Sequence, residues 1–388
     1  MTHTADDFFR LADVERWMFD EALPFWATVG QDRAGFGFVE RVTLDGRPET
    51  LGYKRLRVQA RQIYVFCHAS LLGWRGSALD AARNGMEFVT RNAWLPEGGW
   101  ACKLGHDGGI EDPTLAFYEQ AFMLFALGWY IRATGDVASI DLVHRTLDAV
   151  EARLGLKHVP GFRSSPSNND VLEQNAHMHF LEAMLALYET TKEVRFLDRA
   201  RAIVALFEER LFQHDKRVLP EFFDRDWRRL PDARGHLIEP GHHFEWVWLL
   251  AEYRRLTGED KSSLACGLFD FAETYGIERK TGLVYDAVSD DGTPQARDHR
   301  SWCQTEALKA HLSMGDHERV VDETRVAQIT GNILDRYLNT SPRGLWKDHL
   351  AADHSQKSTF VPATSLYHFF LAFSELKRWT KIEENPIQ

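Results

Sequence analysis

The sequence predicts an all-α fold: an (α/α)6 barrel, six helical hairpins closed into a toroid, with short β-hairpins in its long loops. Three observations lead there. Twelve stretches carry apolar residues at helical periodicity along the 388-residue chain. Turn-rich but ordered-looking joints, rather than low-complexity linkers, separate them. Six polar side chains also stand on otherwise apolar helices at near-constant intervals. They are Arg61, Tyr118, His179, His242, Glu306 and His368, with gaps of 57, 61, 63, 64 and 62 residues. Each falls on an even-numbered helix. One polar residue per hairpin at one level is what a closed ring places around a central pocket. An open solenoid of stacked pairs needs polar capping repeats at its ends, and none is evident.

The predicted helices span 4–28, 53–73, 75–92, 112–134, 136–153, 171–190, 193–213, 240–257, 260–276, 300–313, 317–338 and 360–380. Asp170, with Glu173 three residues on, reads as a capping box ahead of VLEQNAHMHFLEAMLALYE. Pro240-Gly241 opens HHFEWVWLLAEYRRL, and Gly258 closes it after Thr257. Gly135-Asp136 divides two helices. Longer joints at 92–112, 153–171, 213–238 and 280–299 mix aromatics with Gly/Asp turns, as in GGWACKLGHDGG and GLVYDAVSDDGTP, and suggest short hairpins. GFGFVERVTLDGRP reads as another, turning at Asp45-Gly46. No Pro/Ser-rich linker interrupts the chain, so residues 1–388 are expected to form a single domain.

Composition excludes several classes. Hydrophobic residues make up 44%, enough for a sizeable core. The net charge is −11, from 46 basic and 57 acidic side chains, and no basic stripe is available for a nucleic-acid backbone. No apolar run approaches the ~20 residues of a membrane span. The N-terminus, MTHTADDFFR, lacks a signal pattern, so a cytoplasmic location is expected. Cys67, Cys102, Cys266 and Cys303 form no CxxC pair and read as reduced thiols.

Two helices repeat HxxE, at His179/Glu182 and His242/Glu245. Residues i and i+3 share a helix face, so the carboxylate can hold the imidazole's tautomer and raise its basicity for proton transfer. Asn175 lies one turn before His179. His177/His179 and the His242-His243 doublet invite a metal reading, but HxH on a helix turns its rings about 200° apart. No zinc spacing supports it, so no metal is expected. Dinucleotide, P-loop and nucleophile-elbow motifs are absent. A glycosidase pair drawn from Asp107, Glu111 and Glu306 stays open. Trp100, Trp246, Trp248, Trp302 and Trp346 sit near helix starts or loops, where rings suit the C–H faces of a sugar.

KRLRVQARQIYVF (54–66), LAFYEQAFMLFAL (115–127), EQNAHMHFLEAMLALYE (173–189), EPGHHFEWVWLL (239–250), WCQTEALKA (302–310) and PATSLYHFFLAF (362–373) together resemble the N-acylglucosamine 2-epimerase superfamily. Within it they look most like the bacterial D-mannose isomerases. The resemblance runs over nearly the whole chain and implies an (α/α)6 barrel. It also implies a pocket of Arg61, Tyr118, Asn175, His179, His242 and Glu245, with His368 on the last helix. Trp302 and Glu306 complete the expected sugar-binding set. The family's epimerases usually carry His followed by x-Pro-Arg or x-Gly-Arg, whereas this chain reads Tyr367-His368-Phe369-Phe370. The resemblance therefore favours an aldose–ketose isomerase for D-mannose and D-fructose, or D-lyxose and D-xylulose. It implies no cofactor, a monosaccharide as the partner, and a monomer or homodimer. In this reading His242 and His368 transfer the proton, Glu245 orients His242, and Arg61 stabilises a cis-enediolate. A sugar 2-epimerase (mannose/glucose, cellobiose or N-acylglucosamine type) is an alternative. A sulfoquinovose isomerase using Arg163, Arg225 or Arg234, and a non-catalytic sugar-binding toroid, are the others.

Overall fold

The computed structural model describes residues 8–167 and 170–384, with side chains to 381. Positions 4–7 of the predicted first helix lie outside the described residues. All twelve predicted helices form. Helix α1 runs from Leu11–Glu15 through a π-helical Arg16–Ala22 into Leu23–Thr28. Next come α2 (Leu56–Leu71), α3 (Ala78–Asn92), α4 (Phe117–Thr134), α5 (Ser139–Leu154) and α6 (Gln174–Thr191). Helix α7 is Val194–Leu206 with a π-helical end, Phe207–Leu211. Helices α8 (Pro240–Thr257), α9 (Ser262–Tyr275) and α10 (Ser301–Ser313) follow. Helix α11 is Glu323–Asn332 with a π-helical end, Ile333–Tyr337, and α12 is Leu366–Glu384.

The even-numbered helices form the inner ring. Each contacts the next, and α12 returns to α2. They are apolar nearly all round, as helices walled in on every side must be. The odd-numbered helices cover them, and α1 packs Trp17 against Phe369 and Phe373 of α12. The chain ends also close the ring through a strand pair. Strand β1 (Arg41–Thr43) runs antiparallel to β12 (Phe360–Pro362), with Val42 opposite Val361.

Several inner helices start later than predicted, for one reason. Residues just ahead of them are extended and pair as strands. β2 (Tyr53–Arg55) pairs with β3 (Lys103–Gly105), and β3 with β4 (Ile110–Asp112). β5 (Leu172–Glu173) pairs with β6 (Phe222–Phe223), and β7 (Leu237–Ile238) with β8 (Ala287–Ser289). β8 also pairs with β9 (Pro294–Ala296), and β10 (His299–Arg300) with β11 (His349–Leu350). The expected capping box is thereby overturned. Glu173, drawn into β5, is itself the N-cap residue of α6 and makes no side-chain cap bond. The turn at Asp45-Gly46 forms, with the Gly46 N–H donating to the Thr43 carbonyl at 2.9 Å. Its first arm pairs locally, the Thr43 N–H donating to the Arg47 carbonyl at 2.8 Å and the Glu49 N–H to the Arg41 carbonyl at 3.2 Å, and also ladders with β12 across the ring closure. Helices α4 and α8 stop where expected, at Gly135 (φ 72°) and Gly258 (φ 75°), left-handed positions that glycine occupies without a Cβ clash. The four cysteines are unbridged. Among the described residues no helix is long and apolar enough to cross a membrane.

Candidate active site

The inner helices present their N-terminal turns to one end of the ring, around a cavity of about 420 Å³. The positive ends of the helix dipoles at those turns suit an anionic intermediate. Eight of the nine expected site residues line the cavity: Arg61, Tyr118, Asn175, His179, His242, Glu245, Trp302 and His368. The ninth, Glu306, lies beneath it, fully buried, and accepts from His368 Nδ1 at 2.8 Å. The regular spacing along the chain thus corresponds to one level of the ring.

Arg61 is 5% exposed and holds its place through neutral groups. It donates to Tyr118 Oη at 2.8 Å and Thr364 Oγ1 at 2.7 Å, and its guanidinium lies over the Phe122 ring at 4.2 Å. It enters no ion pair among the described residues, so its charge is available to a ligand. Arg55 and Arg300 also line the cavity but are already neutralised. Arg55 pairs with Glu40 at 2.7 Å, and Arg300 with Glu239 at 2.9 Å and Asp286 at 3.2 Å.

The two imidazoles expected to move protons flank one aromatic ring. His242 and His368 lie 5.0 and 5.7 Å from Trp302 between centroids, tilted 37° and 36° to it. Each has Nδ1 held by a carboxylate, which leaves Nε2 for the cavity. For His242 the partner is Glu221, at 2.9 Å. This corrects the expectation that Glu245 orients His242. His242 sits in the first turn of α8, where the side chain leans off the helix end toward the segment ahead of β6. Glu245 instead approaches His179 Nδ1 at 3.7 Å. The other HxxE behaves as read, His179 Nδ1 donating to Glu182 at 3.1 Å.

The two environments push the imidazoles apart. Burial disfavours charge on His242, but Glu221, Glu239 and Glu245 outweigh it and raise its pKa to about 9. Burial wins at His368, despite Glu306, with Arg61 and Lys309 adding to it, and its pKa falls to about 4. His242 is therefore an imidazolium at neutral pH and His368 a neutral base. Below them Lys309, wholly buried, contacts Glu306 at 2.6 Å and Trp248 at 3.9 Å, and feels Glu245 and Glu182 as well. Burial, then the charges of Glu306 and Glu182, hold Glu245 well above the carboxylate range. Its carboxyl, 1% exposed and without a hydrogen-bond partner, lines the cavity. His179, Glu182 and Glu245 place donor atoms within 4.8 Å of one another, but Lys309 already supplies a cation to that group.

Other expected residues fall elsewhere. His177 turns away from His179, as the helical repeat requires, and its Nε2 accepts from the Phe162 N–H at 3.0 Å. His243 Nε2 accepts from the Leu219 N–H at 3.0 Å. Both are structural. Asp107 and Glu111 lie at the β3–β4 hairpin and not among the cavity-lining residues, so they form no glycosidase pair with Glu306. Arg163, Arg225 and Arg234 are likewise not among the residues lining it, and Arg234 pairs with Asp232 at 2.7 Å.

Sequence reasoning missed Glu221, Glu239, Arg300, Asp348 and Lys309. Lys309 was within reach, since it stands at i+3 from Glu306 on one face. Glu221 sits in LPEFFDRDW, where it is one of three acids and nothing local sets it apart from Asp224 and Asp226.

Fold and site meet in the comparisons. The family model of N-acylglucosamine 2-epimerase (GlcNAc 2-epimerase) matches residues 37–372. A mannose-6-phosphate isomerase of Rhizobium meliloti is 33% identical, over 96% of this chain and 98% of that one. A D-mannose isomerase of Thermobifida fusca is 26% identical (90% and 94%), and a cellobiose 2-epimerase of Ruminococcus albus 22% (92% and 96%). A crystal structure of a D-mannose isomerase superposes with a TM-score of 0.83 at 22% identity, covering 97% of this chain and 99% of that one. The chain belongs to the N-acylglucosamine 2-epimerase family and is an enzyme of the sugar isomerase and epimerase kind.

Proposed function

We propose that the protein is a cofactor-independent aldose–ketose isomerase interconverting D-mannose and D-fructose within a single catalytic domain. The observation that carries this reading is the pair His242 and His368. Both face one monosaccharide-sized cavity, both are fixed at Nδ1 by carboxylates, and they are biased toward opposite charge states. Two titratable groups pushed apart in this way are an acid and a base.

In this mechanism His242, as imidazolium, protonates the ring oxygen, and the pyranose opens as His242 recovers a proton from the O1 hydroxyl. Neutral His368 takes the proton from C2. The C2–H electron pair becomes the C1=C2 bond of a cis-enediolate, and negative charge develops on O1. Arg61 and the ring of helix N-termini stabilise that charge. His368 returns its proton to C1, the hydroxyl proton of O2 passes to O1, and C2 becomes the ketose carbonyl. Tyr118, Asn175, His179 and Glu245 hold hydroxyls, and Trp302 stacks on the sugar face.

The charge pattern favours the free sugar over a phosphate ester. Arg55 and Arg300 are both paired with carboxylates, and the unpaired Arg61 is deep in the cup. Incubating the enzyme with mannose, glucose, lyxose, sulfoquinovose and mannose 6-phosphate side by side tests the assignment. Fructose from mannose as the dominant product supports it. Glucose as the dominant product from mannose makes the protein a 2-epimerase, and turnover confined to the phosphate or sulfonate overturns the proposed substrate.

A further inference from the structure

A second cluster of chemically competent side chains lies outside the sugar cavity. Glu278 follows α9, His299 opens β10, and His354 stands in the turn after β11. One donor atom from each comes within 4.8 Å of the other two. His299 is fully buried. Its Nδ1 lies 2.8 Å from the Val284 carbonyl, which can only accept, so Nδ1 carries the proton. Nε2 then presents a bare lone pair, buried and without a hydrogen-bond partner. An imidazole locked by a carbonyl at one nitrogen with the other left free is how proteins prepare a metal ligand. Opposite it, His354 Nε2 and Glu278 Oε2 share a proton at 2.9 Å, both about one-quarter exposed. A cation can enter from that side and a water can complete its coordination.

The neighbouring trio Asp286, Asp298 and His349 shows the contrast. There Arg300 lies on Asp286 at 3.2 Å, and Lys357 pairs with Asp298. Its charge is already met by protein cations. Among the described residues Glu278 has only His354 as an ion-pair partner.

We propose that Glu278, His299 and His354 bind a divalent transition metal of the zinc class. Two imidazole nitrogens and one carboxylate oxygen make a three-ligand set, and a tetrahedral zinc holds such atoms about 3.4 Å apart. Binding displaces the proton shared by His354 and Glu278. The metal ties the turn after β11 to the α9–β8 connection. That turn is joined through β11 to Asp348, which lines the sugar cavity. The site is structural and takes no part in proton transfer.

Full-length protein stripped with a chelator and titrated with ZnCl2 by calorimetry tests this. One zinc per chain is expected, with a dissociation constant at or below about 1 μM. Melting should shift upward by about 2–4 °C at a hundredfold excess over that constant. His299 is in the core, so the variants are the two partly exposed ligands. His354→Ala and Glu278→Gln should each weaken zinc binding at least ~10-fold and abolish the thermal shift. Failure of the parent protein to bind zinc overturns the site. So does zinc binding that survives unchanged in both variants, since it would then lie elsewhere.

Discussion

Glu221 holds Nδ1 of His242 at 2.9 Å although the two residues belong to different segments, one ahead of β6 and one in α8. Its charge is the largest of the contributions that overcome burial and keep His242 protonated. Glu221→Gln should therefore lower the pKa of His242, and kcat should fall roughly 10–100-fold. The pH–rate profile separates this from mere loosening, because the basic limb, expected near pH 9 in the parent, should move to lower pH.

Removing either imidazole should cost more. His242→Ala and His368→Ala should each lose at least ~10²-fold in kcat with unchanged circular dichroism and melting. Unaltered turnover in either variant contradicts its place in proton transfer.

Arg61 meets charge that is absent from the ground state. Arg61→Gln should lower kcat by about 10²–10³, as loss of an oxyanion donor does, with a smaller change in KM. Steady-state kinetics on mannose reads the split.

Lys309 is the cation set among Glu182, Glu245 and Glu306. Lys309→Met leaves buried carboxylates uncompensated and should destabilise the fold by about 3–5 kcal/mol. Urea unfolding should show a lower midpoint with little change in slope.

Acid stability follows from buried neutral histidines. Burial lowers His68 to about 3 and His177, His243 and His368 to about 4. An unfolded chain titrates them near 6.5, so it binds more protons than the native state between those values. Their stabilisation is present above pH 6.5 and is lost as pH falls toward 4, at about 1.4 kcal/mol per pH unit for each fully engaged proton. Denaturant midpoints at pH 7 and pH 5 should show the fall, and His177→Gln should make it shallower.

The helices and their pairing were legible because apolar periodicity and Gly/Pro punctuation are local signals. So was the polar level of the cup, since one side chain per hairpin recurs at the repeat length. Helix starts were read too early wherever a strand such as β5 or β12 claims the residue ahead, because its partner lies far along the chain. His179–Glu182 was readable as an i, i+3 pair. The pairing of His242 with Glu221 was not, because it depends on which way a first-turn side chain leans and on what a distant loop brings to meet it.

The central claim is that imidazoles in this cup move a proton between sugar carbons. The most direct measurement is NMR of mannose incubated with the enzyme in D2O. The account predicts fructose carrying solvent deuterium at C1 and mannose exchanging at C2, both lost in His368→Ala. Mannose that binds yet shows neither conversion nor exchange contradicts it.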